Sequence, residues 1–129
     1  MYPLNLRSEK NSKHKALTAL GQVGLERFTA HKPVELSGGQ MQRVAIARAL
    51  VFKPRFIFAD EPTGNLDSTT ADQVSDILFS ACEESGAGLV LVTHSRELAA
   101  RAANIYELNN GAMLQQKSLA NHVDKVAVR

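Results

Sequence analysis

Apolar residues at Ala16, Leu20, Val23 and Leu25 fall near helical spacing within residues 13–28, which predicts an amphipathic helix weakened at Gly21 and stopped near Gly24. A connector through His31, Lys32 and Pro33 follows, then residues 34–36. Ser37 is followed three places later by Gln40, the spacing of a capping box at a helix start. Met41, Val44, Ala47 and Leu50 continue that helix at three- and four-residue steps opposite Gln42 and Arg43, to about Val51, and Pro54 prevents its continuation.

From residue 56 the pattern changes. Residues 56–59 are all apolar, as expected of a strand buried on both faces of a parallel sheet. Residues 60–67 hold Pro62 and Gly64 and read as a loop. Asp67 or Ser68 then caps a helix that buries Val74, Ile77, Leu78 and Ala81 and ends near Gly86. Residues 89–92 repeat the all-apolar strand, Thr93 and His94 stand at its carboxyl end, and Ser95 caps a short helix through Arg101. Residues 105–108 and 112–114 flank Asn110 and Gly111, a strong hairpin-turn dipeptide, before a polar tail that is expected to fray. Strand alternating with helix predicts an α/β fold with a parallel sheet flanked by helices.

Composition narrows the partners. The 129 residues, 44% hydrophobic and 22% charged, have room for one modest domain. A formal net charge of +2 argues against a surface dedicated to wrapping nucleic acid, and no stretch approaches the roughly 18 uninterrupted apolar residues of a spanning helix. Residues 1–10 lack the apolar core of a secretory signal, so a cytoplasmic location is expected. One cysteine, Cys82, excludes an internal disulfide and a multi-cysteine metal site; it reads as a structural thiol.

Three short segments carry candidate chemistry. Ser37, Gly38, Gly39 and Gln40 place two glycines and a capping serine at a helix N-terminus, where unpaired N–H groups attract anions such as phosphate; an ordinary capped helix has the same appearance. Asp60 and Glu61 emerge where a buried strand ends, the side on which open parallel sheets bind ligands. Adjacent strand residues point to opposite faces, so two separate tasks suit them, one carboxylate serving a hydrated magnesium ion and the next an attacking water. Two solvated charges opening a loop are the alternative. His94 also follows a strand end and can reach the same crevice, although a single histidine is more commonly structural; His14, His31 and His122 lie in polar surroundings and are weaker candidates.

In this order and spacing the segments resemble the ATP-binding-cassette (ABC) ATPases over residues 1–115. Leu36-Ser37-Gly38-Gly39-Gln40, with Met41-Gln42-Arg43, resembles the signature motif; Phe56-Ile57-Phe58-Ala59-Asp60-Glu61 resembles the Walker B strand; Asn65-Leu66-Asp67 resembles the D-loop, and Thr93-His94 the switch histidine. The stretch 59–67 is similar to the bacterial subgroup serving lipoprotein release, macrolide-type export and cell division. The resemblance implies a P-loop NTPase-like fold, with residues 1–36 closing a helical subdomain, 37–115 forming the C-terminal part of the ATPase core and 116–129 a polar tail. It further implies head-to-tail pairing with a second cassette, transmembrane permease partners, and ATP with Mg2+ as ligands. Ser37, Gly38, Gly39 and Gln40 would meet the partner's ATP, Asp60 would serve magnesium through water, Glu61 would be general base, His94 would meet the γ-phosphate, and Asp67 would help couple the two sites.

The sequence departs from the family in three features. It contains no G-x-x-x-x-G-K-[ST] phosphate loop, and the family's adenine-stacking aromatic and Q-loop glutamine are also missing. Tyr2-Pro3-Leu4 resembles the interior of the helical subdomain, so Met1 is expected to mark a truncation, an artificial boundary or a misplaced start. The expectations are therefore half a cassette, inactive alone, with an apolar strand edge that favours self-association. The alternatives are a regulatory or decayed cassette that pairs with an intact subunit without hydrolysis, and a non-transport ABC protein.

Overall fold

Among the described residues, helices pack on one face of the first two strands of a five-stranded sheet and leave the opposite face of those strands largely exposed. The computed structural model describes residues 9–30, 32, 35–116 and 125–128. Helix α1, Glu9–Gln22, buries Ala16, Ala19 and Leu20; Gly24, at φ 68°, then reverses the chain so that Val23 and Leu25 are buried behind it, ahead of a 3-10 turn at Glu26–Phe28. The helix expected to stop near Gly24 thus ends at Gln22. Helix α2, Gly38–Leu50, is followed by β1, Phe56–Asp60.

Helix α2 is turned differently from the expected stripe. Gly39, Ile46, Ala47 and Leu50 are buried, and Met41 is half exposed. Gly39 sets this rotation, because a Cβ there would stand 2.5 Å from Thr70 Cγ2. Met41, two residues on, points about 200° away around the helix axis.

Helix α3, Ser68–Ser85, is the central element. Asp67 caps its start, and Gly86, at φ 69°, closes its end in the left-handed conformation. Val74, Leu78, Ala81 and Cys82 are buried in one cluster with Ile46 and Leu50 of α2 and with Ile57, Leu89 and Leu91 of the sheet. Cys82 is fully buried as a structural thiol.

Strands β2 (Gly88–Val92), β3 (Asn104–Asn109), β4 (Ala112–Gln116) and β5 (Lys125–Val128) complete the sheet in the order β1-β2-β5-β3-β4. A short helix α4, Arg96–Ala99, lies between β2 and β3 and is briefer than the helix expected through Arg101. Strands β1, β2, β5 and β3 run parallel; β4 returns antiparallel to β3. The β3–β4 turn places Asn110 and Gly111 at φ 48° and 78°, the doubly positive geometry of a type I′ hairpin.

Two expectations need correction. The tail does not fray throughout: residues 125–128 pair with β2 on one side and β3 on the other, because β2 would otherwise leave its backbone groups on that edge unpaired. Residues 117–124 and 129, like Tyr2, Pro3, Leu4, His31 and His122, lie outside the described residues. Nor is β1 buried on both faces. Ile57 is buried against the helices, but Phe56 and Phe58 remain 58% and 78% exposed on the opposite side, since none of the helices from α1 to α3 packs there.

Candidate functional site

Parallel pairing of β1 with β2 puts Asp60 beside Val92 at one end of the sheet, so the residues after both strands emerge together. Glu61 N–H donates to the Val92 carbonyl at 2.9 Å and extends the pairing by one residue. Glu61 itself adopts φ 42°, a left-handed conformation uncommon for a residue with a side chain. That turn breaks the alternation of the strand. Asp60 stays exposed on the Phe56–Phe58 face, and Glu61 swings toward the end of β2.

Both oxygens of Glu61 are then met by the turn after β2. His94 N–H donates to Oε1 at 2.6 Å, and the Thr93 hydroxyl donates to Oε2 at 3.4 Å. The His94 ring is almost fully exposed, with Nε2 3.8 Å from Glu61 Oε1. Thr93 is buried, and its Oγ1 also accepts from Ser95 N–H at 3.0 Å. This second bond occupies a lone pair and directs the hydroxyl proton toward Glu61. Ser95 in turn caps α4 through Leu98 N–H at 3.1 Å. Sequence reasoning placed Glu61 and His94 near one crevice but assigned no contact to Thr93; its visible signal was a hydroxyl residue at the end of an apolar strand.

At the other cluster, Ser37 and Gln40 form a reciprocal capping box. Gln40 N–H donates to Ser37 Oγ at 3.2 Å, and Ser37 N–H donates to Gln40 Oε1 at 3.0 Å. Only acceptor atoms of the two side chains are used, so the box leaves the Ser37 hydroxyl proton and the Gln40 amide hydrogens uncommitted. The N–H groups of Gly38 and Gly39 belong to the first turn and have no carbonyl partner within the helix. A hydroxyl, a side-chain amide and two backbone N–H groups therefore belong to the positive end of a 13-residue helix, an arrangement suited to an anion.

Asp67 belongs with this second cluster. Its Oδ2 accepts from Thr70 N–H at 3.0 Å and its Oδ1 from the Thr70 hydroxyl at 2.6 Å. The hydroxyl bond first, and the backbone bond after it, hold the Asp67 carboxyl below its ordinary 3.8. Leu66, one residue before, packs toward Gly38, where a Cβ would approach its Cδ2 to 3.2 Å. Among the described residues, no hydrogen bond or ion pair joins Ser37, Gly38, Gly39 or Gln40 to Asp60, Glu61 or His94. The described residues thus hold two candidate clusters that no such bond links.

Magnesium can be tested against this geometry. Among the described residues no group of three or more His, Cys, Asp or Glu side chains converges on a point that could hold a metal. Asp60, an exposed carboxylate at a strand end, fits a single contact to a hydrated ion and is not a binding site by itself.

Comparison with known proteins bears on the chain as a whole. The profile of the ABC transporter family matches residues 4–64. The lipoprotein-releasing system ATP-binding protein LolD of Alcanivorax borkumensis is 50% identical over 113 residues, which are 86% of this chain and 50% of that protein. LolD of Legionella pneumophila is 46% identical over 115 residues, 88% of this chain and 51% of the relative. Among solved structures, the dimeric bacterial ABC transporter cassette MJ0796 superposes with a TM-score of 0.71 at 42% identity, over 90% of this chain and 50% of that one. The same cassette in a post-hydrolysis state bound to ADP and Pi gives a TM-score of 0.72 at 41% identity, over 89% of this chain and 50% of that one. The chain thus spans about half the length of the curated relatives it matches, and its fold is that of the P-loop NTPases of ABC cassettes. Sequence shared over more than four fifths of the chain, together with the shared fold, makes it a member of the ABC transporter ATP-binding protein family.

Proposed function

We propose that this chain supplies the signature, Walker B, D-loop and switch-histidine parts of an ABC transporter ATPase and turns over ATP only within a complete pair of cassettes. The observation that carries the reading is the clamp on Glu61, a carboxylate held at a strand end by His94 N–H at 2.6 Å and faced by the exposed His94 ring. Such a carboxylate is placed to accept a proton from water attacking a phosphoryl group, and the neighbouring imidazole to contact that group. Asp60 would hold magnesium through its water shell; the ion, when bound, neutralises phosphate charge.

Ser37, Gly38, Gly39 and Gln40 act on the γ-phosphate of ATP cradled by the partner subunit, using the uncommitted donors of the capping box. Asp67 transmits the state of one site to the other across the pair. The 129 residues contain no G-x-x-x-x-G-K-[ST] loop, so in this reading the lysine and backbone cradle for the ATP are supplied from outside them. No helix among the described residues is long and apolar enough to cross a membrane, which accords with a peripheral subunit on the cytoplasmic face of the inner membrane, bound to permease partners. The relatives named as lipoprotein-releasing components make that class of transporter the first to test.

A second reading is a chain that docks its signature helix on an intact cassette without turnover. Two assays separate them. The 129-residue chain alone is expected to show no ATPase activity above background; turnover that Glu61→Gln removes would overturn the proposal. Joined to a phosphate-loop half, the chain is expected to hydrolyse ATP, and Glu61→Gln to abolish hydrolysis while ATP-driven pairing persists, since the amide keeps the shape but accepts no proton. Pairing without hydrolysis in the unsubstituted joined protein would establish the docking reading instead.

A further inference from the structure

Gly39 and Asp67 belong to different motifs, one in the signature loop and one in the D-loop, and a single side chain touches both. We infer that Thr70 is a positioning residue that couples the signature loop to the D-loop within one chain, its hydroxyl fixing Asp67 and its methyl fixing Gly39. The inference rests on the proposed function only for the roles of those two motifs; the coupling itself is a matter of geometry.

The Thr70 hydroxyl donates to Asp67 Oδ1 at 2.6 Å while its own N–H donates to Oδ2 at 3.0 Å, so the carboxylate is gripped from both sides. Its Cγ2 fills the space that a Cβ on Gly39 would enter, at 2.5 Å from that position. Both groups hang from one β-branched carbon with few χ1 rotamers. Rotation that releases the methyl from Gly39 also carries the hydroxyl away from Asp67. Gly39 is buried on the first turn of α2, and Thr70 is half-buried on the first turn of α3. A shift of the signature turn against α3 must therefore reach Asp67 through Thr70. An ordinary N-cap and the first-turn residue it binds serve only their own helix, whereas here the methyl of that first-turn residue is engaged by a different one.

The test uses the whole chain, with no nucleotide, and follows backbone amide resonances of residues 37–40 together with the carboxyl titration of Asp67 by NMR. Thr70→Val keeps the methyl and removes the hydroxyl. It is expected to raise the Asp67 midpoint toward its ordinary value and also to move or broaden the amides of residues 38–40, although no bond to them is cut. Gly39→Ala is expected to push Thr70 aside and raise the Asp67 midpoint from a distance. Adding Thr70→Ser to Gly39→Ala removes the colliding methyl, keeps the hydroxyl and should return that midpoint to the parental value. A Gly39→Ala chain in which Asp67 titrates as in the parent, or a double variant that fails to recover it, overturns the coupling. If Gly39→Ala does not fold, Thr70→Val decides: unmoved amides at residues 38–40 overturn the proposal. Failure of the proposed function is read separately, by the loss or retention of hydrolysis in the joined cassette carrying Glu61→Gln.

Discussion

Ser37 shows how one residue serves stability and chemistry with different atoms. Its Oγ lone pair closes the capping box, and its proton stays available to a phosphate. Ser37→Ala should cost about 1 kcal/mol of helix capping, lowering the melting temperature by a few degrees in circular dichroism, and in a joined cassette it should also weaken response to ATP. Asp67 carries the expected pH dependence. Because hydrogen bonds from Thr70 hold its folded-state value below the ordinary one, it favours the folded state at pH values above the ordinary 3.8, and that contribution is lost as pH falls through the lowered value. Melts taken downward through the carboxylate range should show a loss that Thr70→Val reduces. These roles differed in legibility. Ser37 and Gln40 were readable because a capping box depends on local spacing. The contacts of Thr93 and Thr70 were not, because their partners Glu61 and Gly39 are brought to them by tertiary packing 32 and 31 residues away.

At the scale of elements, α3 ties the Ser37–Gln40 cluster to the sheet: its N-cap is Asp67, its first turn meets Gly39, and its apolar face packs on β1 and β2. Arg101 reinforces its far half, reaching Asp76 at 2.9 Å and lying 4.4 Å from the centroid of the Phe79 ring. Leu78 is almost completely buried in the shared cluster, so Leu78→Ala should destabilise the chain by about 2–5 kcal/mol, measured as a lower urea midpoint at unchanged slope. The periodicity of α3 identified Val74, Leu78 and Ala81 correctly because its face is set by a broad apolar contact. That of α2 pointed to Met41 because hydrophobicity outweighs glycine in any sequence pattern, whereas the structure turns the helix on the close approach of Gly39 to Thr70. The all-apolar run of β1 predicted burial on both faces, and the described chain provides a cover for one.

For the whole molecule, the open face of β1 and its edge, unpaired among the described strands, have a common expected result. Phe56, Phe58 and Val92 are exposed on one side of a sheet whose outermost strand is β1. The chain is expected to self-associate in light scattering, and Phe58→Lys to reduce the scattering while leaving the helical circular dichroism signal in place. A chain extended upstream should melt at a higher temperature than the 129-residue form; equal, cooperative melts of two clean monomers would remove the argument from an uncovered sheet. The position of β5 also imposes an order of events. It follows β4 in sequence yet lies between β2 and β3, so during synthesis the β1–β2 pair and the β3–β4 hairpin can each form first but cannot be joined until residues 125–128 have left the ribosome. The β2 and β3 edges stay unpaired in the meantime, so joining them is a non-local step that comes after both local units and exposes those edges to other chains until it is made.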